Sequence, residues 1–209
     1  MTIAWGCGKE APVRHSLRRE AFVCLLVASV AAGCVVPPEP GSSAPPEAEV
    51  VAADARALAF GRTAGEILEN PQLRDKVRAM FGADWAAPTP GVGKLSAAAP
   101  QYFELGGPVR MVRIGDANYI AVTGCAPQAC SGRRGLLLVR EGGEQLMARL
   151  DEGGFSHHYA YGPGMAPGPV GRGGAGAAGG ADRAGLMLGS ALRALERGSD
   201  GSPFPRPAP

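Results

Sequence analysis

Residues 112–139 read VRIGDANYIAVTGCAPQACSGRRGLLLV, and the reading of this stretch decides the fold. Three apolar runs, VRI, NYIAVTG and GLLLV, are separated by two breaks, Gly115-Asp116 and the segment from Cys125 to Cys130. Runs this short, rich in Val, Ile, Tyr and Leu and bounded by turn residues, are strands, and connections this short join antiparallel neighbours. The pattern continues on both sides. Upstream lie QYFEL (101–105) and VRMVRI (109–114) around a Gly-Gly-Pro turn, and downstream QLMARL (145–150) follows Glu141-Gly-Gly. A further run, FSHHYAY (155–161), reads as an added edge strand. In VRMVRI, Val109, Met111 and Arg113 alternate with Arg110, Val112 and Ile114, so neither face is cleanly apolar and the pattern alone does not set its register.

Helical spacing brackets these strands. Thr63-Ala-Gly-Glu66 has the form of a capping box. Asn70 suits an N-cap and Pro71 a first helical position, and Leu73, Val77, Met80 and Phe81 then recur on one helical face before Gly82 stops it. Near the C-terminus Leu188, Ala191, Leu192 and Leu195 share a face, with Arg193 and Arg197 in the last turn and Gly198 beyond. The expectation is an α+β domain over residues 58–198, an antiparallel β-meander of about five strands flanked by an N-terminal and a C-terminal helix. Inside it, residues 162–180 hold nine Gly, three Pro and four Ala and read as a flexible insert. Residues 199–209 read as a disordered tail.

The N-terminus reads as an address. Thirteen uncharged residues, Ala21 to Gly33, follow Arg14, Arg18 and Arg19, a run too short for a bilayer, which needs about 20. A basic start, a short apolar centre and small residues before a cut make residues 1–33 a secretory signal peptide. Ala31-Ala32-Gly33-Cys34 resembles a bacterial lipobox, which implies lipidation of Cys34. Val35 after it, in place of the Asp of inner-membrane retention, implies an outer-membrane anchor facing the periplasm. Residues 34–57, in which Val35 to Glu49 read VVPPEPGSSAPPEAE, are then a lipid-anchored, Pro-rich tether.

Composition narrows the function classes. Gly and Pro supply 51 of 209 residues, while aromatic residues are 6% and charged residues 19%, which argues against a coiled coil or a large aromatic-cored enzyme. Lys9, Arg14, Arg18, Arg19, Glu10 and Glu20 leave with the signal, so 21 basic and 19 acidic side chains become 17 of each. A neutral chain has no net field to steer a polyanion, and no nucleic-acid partner is expected.

Cys7 and Cys24 also leave with the signal and the lipid takes Cys34, so Cys125 and Cys130 remain. In an oxidising compartment such a pair is a disulfide, whereas in the cytosol the same spacing suggests metal or redox chemistry. The loop Cys125-Ala126-Pro127-Gln128-Ala129-Cys130 sits between two strands and so at a hairpin tip. Closing so small a ring stabilises the fold by about 2 kcal/mol. Its larger effect is a pre-ordered tip, which loses less entropy on binding a partner. The plainer reading is a staple at a hairpin end.

The quoted segment, with its Gly-Asp turn, its Tyr-led strand and its Cys-bracketed, Pro-containing loop, resembles the inhibitor of vertebrate lysozyme (Ivy) family, well over 112–139 and loosely over 58–198. The resemblance implies a periplasmic α+β protein whose disulfide-closed loop enters the active-site cleft of c-type lysozyme or a related muramidase and covers its catalytic carboxylates. By position Cys125 and Cys130 match the family's disulfide and Pro127 its loop proline, while Gln128 stands where the family has a key His and Ala129 where it commonly has an acidic residue. An imidazole can carry charge toward a carboxylate, whereas a Gln amide donates only neutral hydrogen bonds. The substitution is worth about tenfold in affinity. Arg133 and Arg134, just after the loop, are further candidates to meet carboxylates.

The alternative of the same architecture is an envelope binding lipoprotein without lysozyme inhibition. A thiol oxidoreductase is disfavoured, because four residues including Pro127 separate the cysteines, unlike the Cys-x-x-Cys at a helix start that lowers a thiol pKa. His157 and His158 adjoin in a strand and point to opposite faces, which does not favour a shared metal. No catalytic triad, nucleotide loop or zinc motif is recognisable, and no enzyme activity or cofactor is expected.

Overall fold

The computed structural model describes residues 45–86, 94–165, 168–170, 178–198 and 204. One antiparallel sheet organises them. Its strands are β1 (Ala48–Val51), β2 (Leu105–Gly106), β3 (Arg110–Ile114), β4 (Ala117–Cys125), β5 (Arg133–Arg140), β6 (Leu146–Glu152), β7 (Phe155–Tyr161) and β8 (Gly168–Val170). From β3 to β8 each strand pairs with the next in sequence, β1 lies outside β3, and β2 pairs the far end of β4. The helices are α1 (Ala64–Leu68), α2 (Arg74–Phe81) and α3 (Ala178–Arg197). The chain is therefore an α+β protein, with short helices before the meander and a C-terminal helix packed on it.

Both faces of the sheet are covered. Met111, Ile120, Val122, Leu137, Leu146, Leu150 and Tyr159 pack with α1, α2 and the adjoining turns. Val112, Tyr119, Ala121, Leu136, Leu138, Met147 and Ala160 pack under Ala184, Leu188, Ala191 and Leu195 of α3. This explains why VRMVRI and GLLLV lack alternation: with a layer on either side, both sets of side chains are buried, each large one contributing roughly 1.5–3 kcal/mol. The expected faces of α2 and α3 are the buried ones, with Leu73, Val77, Met80, Phe81, Leu188, Ala191 and Leu195 each at most 1% exposed.

Five sequence expectations need correction. QYFEL is not a strand. Ala99–Phe103 is a 3-10 turn with Pro100 in its first positions, followed by the two-residue β2, so Tyr102 and Phe103 are both buried on one side of the sheet rather than split across it. The sheet begins at Ala48, within the segment read as tether, because Ala48–Val51 pairs Ile114 to Met111. FSHHYAY is internal, since β8, lying within the expected Gly-rich insert, pairs its outer side, and α3 also starts inside that insert. Phe204, in the segment read as a disordered tail, is buried at 6% exposure.

Caps follow the sequence with one shift each. Thr63 accepts from the Glu66 N–H, and the Glu66 carboxylate accepts from Arg62 N–H, one residue earlier than a reciprocal box. Asn70 caps a turn ahead of α2, its side chain accepting from Gln72 N–H and its carbonyl from Leu73 and Arg74, so the regular helix starts at Arg74.

Candidate functional site: a disulfide-closed loop

The loop is built on a pair of glycines. Gly124 of β4 and Gly135 of β5 are register partners, and Cys125 pairs Arg134 beyond them. A Cβ on Gly124 would fall 2.6 Å from Phe103 Cα, and one on Gly135 2.7 Å from the Phe103 ring. Both positions are Gly so that the 3-10 turn carrying Tyr102 and Phe103 can lie directly on the sheet. β2 holds the other edge of β4, with Leu105 opposite Cys125 and Gly106 opposite Gly124. The strand entering the loop is thus fixed on both sides and from one face.

Beyond it the backbone forms two successive turns, the first inside the ring and the second leading out of it to Arg133. Cys125 and Cys130 are disulfide-bonded, with Cα atoms 4.8 Å apart. Ala129 N–H donates to Ala126 carbonyl at 3.1 Å, and Gly132 and Arg133 N–H both donate to Ala129 carbonyl, at 3.0 and 2.7 Å. Ala126 N–H donates across the base to Arg133 carbonyl at 3.1 Å. In the first turn Pro127 takes the position its ring geometry favours, and Gln128 follows with φ 63°. That is the geometry of a type II turn, whose third position normally takes Gly. Gln128 is the sole non-glycine residue with positive φ among the described residues. Such a backbone state costs of order 1 kcal/mol and persists only where its surroundings enforce it.

Burial separates anchor from tip. Cys125, Ala126 and Cys130 are buried, Ala129 is half-buried, and Pro127 and Gln128 are exposed. The structure therefore brings together all six loop residues expected from the sequence, and presents two of them to solvent. Cys34 and the signal peptide lie outside the described residues.

The base of the loop is held by a carboxylate that sequence reading missed. Glu152 on β6 sits opposite Arg133 in register. Its carboxylate accepts from Arg133 Nε at 2.7 Å, Ser96 N–H at 2.7 Å, Tyr102 hydroxyl at 2.6 Å and the Ser96 hydroxyl. Burial alone would raise its pKa, but the hydrogen bonds from Ser96, Tyr102 and Arg133 outweigh burial and bring it down to about 2. Burial, followed by the bond to Glu152, pushes the Tyr102 hydroxyl up, so it remains a neutral donor. A saturated carboxylate of this kind is a structural anchor and has no proton to give.

The two arginines after the loop part company. Arg133 is spent on Glu152. Arg134 points to the other face, where its guanidinium lies 4.8 Å from the centroid of Phe204 and its buried Nε has no hydrogen-bond partner. It alone of the pair has no carboxylate partner among the described residues.

His157 and His158 alternate along β7. His158 lies against Gly185 of α3, where burial, then Arg149, lowers its pKa. Among the described residues no group of three or more His, Cys, Asp or Glu is placed to hold a metal, and no helix is long and apolar enough to cross a membrane.

No protein-family model, curated protein or solved structure matches this chain. The loop is a covalently closed, uncharged projection whose exposed tip offers a primary amide.

Proposed function

We propose that this protein is a lipid-anchored envelope protein that binds c-type lysozyme or a related muramidase by inserting the Cys125–Cys130 loop into the enzyme's cleft, acting as a plug and not as an enzyme. The observation that carries this reading is Gln128, a side-chain-bearing residue held at positive φ on the exposed tip of a covalently closed ring. A hairpin that only reverses direction has no use for that strain, whereas a binding tip gains from being ordered before contact. Pro127 and Gln128 supply the contact, Cys125, Ala126, Ala129 and Cys130 the frame, and Arg134, at the start of β5, a cation without a carboxylate partner among the described residues. The lipid on Cys34 anchors the protein to the outer membrane, on its periplasmic side.

A second reading has an observation of its own. Gln128 is uncharged where the resembled family carries His, which favours an envelope binding lipoprotein of this fold directed at a partner other than lysozyme. Calorimetric titration of c-type lysozyme with wild type and Gln128→His distinguishes them. Inhibitor character predicts a saturable one-to-one complex that Gln128→His tightens about tenfold, as expected for a charge-assisted bond. Absence of binding by both proteins would reject the lysozyme partner and leave the second reading.

A further inference from the structure

At the end of the sheet opposite the disulfide loop, a recess of about 280 Å³ opens between the β3–β4 turn, the β5–β6 turn and α3. Its floor is apolar, formed by Ile114, Met165 and Met187, and its rim carries Asp116, Arg140, Gln145 and Arg183. Three of the rim's donors lack a strong acceptor. Arg140, at the end of β5, and Arg183, in α3, have no carboxylate partner and no side-chain hydrogen bond among the described residues. Gln145 spends its Oε1 on the Tyr119 hydroxyl at 3.2 Å, while its Nε2 meets only the Met165 sulfur at 3.8 Å, a weak acceptor.

We propose that this recess is a binding site for a small organic carboxylate, whose anionic end is taken by Arg140, Arg183 and the Gln145 amide and whose apolar body rests on Ile114, Met165 and Met187. Guanidinium forks match a carboxylate in shape and charge, and two reach the recess from elements far apart in sequence. Asp116 offsets one of the two cations, so the site is matched to a monoanion rather than to a polyanion. Burial raises the Tyr119 hydroxyl's pKa, which keeps that side chain neutral beside the anion. The recess is slightly below the usual range for small-molecule pockets, roughly 300–1,000 Å³, and suits a ligand of benzoate size.

Calorimetry of the full chain in phosphate-free buffer, titrated separately with benzoate, benzamide and inorganic phosphate, tests this. The expected result is saturable benzoate binding with a dissociation constant of about 1 mM, and at least about tenfold weaker binding of neutral benzamide. Arg140→Gln and Arg183→Gln should each weaken benzoate about tenfold. Both side chains are exposed, and an unchanged Tm shows that the variants fold. Three results would overturn the proposal: no saturable benzoate binding, benzoate binding indifferent to both substitutions, or phosphate bound as tightly as benzoate, which would make the recess an inorganic-anion site.

Discussion

Two hairpin tips lie on the same end of the sheet, and they are built in opposite ways. The β6–β7 reversal uses Gly153 and Gly154 alone, at φ 56° and 82°, with nothing within 4 Å of where either Cβ would stand. Two residues of positive φ match the twist of the strands they join, so glycine turns the chain with no further support. The β4–β5 reversal instead spans residues 126–132, with a disulfide, a proline, two chained turns and a glutamine in a glycine's conformation. Beneath it lie the Gly124–Gly135 pair and the Phe103 turn, while the Glu152 cluster, whose carboxylate residue directly precedes Gly153, stands at the base of both tips. This fold reverses direction with two glycines one hairpin later, and that contrast supports the proposal that the elaboration at β4–β5 serves what the tip presents. That is the physical ground for treating the loop as a binding element.

The largest break in this contrast is Gly124→Ala. Its Cβ must overlap the Phe103 backbone, and the expected cost is about 3 kcal/mol in chemical unfolding, against about 1 kcal/mol for Gly153→Ala at the open tip. Near-equal costs would mean that the scaffold under the loop has slack the structure does not show. Next, Cys125→Ala/Cys130→Ala should lower stability by about 2 kcal/mol, the loop-closure value for a ring of this size, with the fold retained. A complete loss of folding would make the bridge a staple of the whole sheet.

Acid offers a subtler probe. Glu152 has its pKa depressed from the ordinary 4.5 to about 2, so its stabilising contribution is full above about pH 4.5 and is lost as pH falls toward 2. Wild type should therefore lose stability across that window, and Glu152→Gln should lack this component while being about 1–2 kcal/mol less stable at neutral pH. Parallel pH profiles for the two proteins would remove Glu152 from its role. The smallest effect is expected from Gln128→Gly. Relief of the positive φ should stabilise the protein by about 0.5 kcal/mol, measured as a small rise in Tm, while weakening partner binding through loss of the amide and of loop order.

How much of this was legible in the sequence differs between elements for identifiable reasons. The strands from 109 to 161 and the face of α2 were readable because their apolar spacing and bounding glycines are local signals. The turn at 99–103 was not, because Tyr102 and Phe103 look like strand residues until Pro100 is given its role as a 3-10 start and the missing Cβ atoms at positions 124 and 135 make room for them. Ala48–Val51 was hidden by the Pro-rich run before it, and its four residues gain strand character only by pairing β3. All six loop residues were readable from the two cysteines. Their anchor was not: Ser96 and Tyr102 reach Glu152 across 56 and 50 positions of sequence, and only the β5–β6 register places Arg133 opposite it. The distinct fates of Arg133 and Arg134 follow from the same register, since neighbours in a strand face opposite layers.

The central claim is that the closed loop plugs a muramidase cleft. Its most direct test is the rate of cell-wall lysis by a c-type lysozyme, titrated with wild type and with Cys125→Ala/Cys130→Ala, each shown to be folded by its Tm. The account predicts inhibition by wild type and at least tenfold weaker inhibition by the double variant, because an open loop must lose its freedom on binding. No inhibition by wild type, or equal inhibition by both proteins, would contradict it.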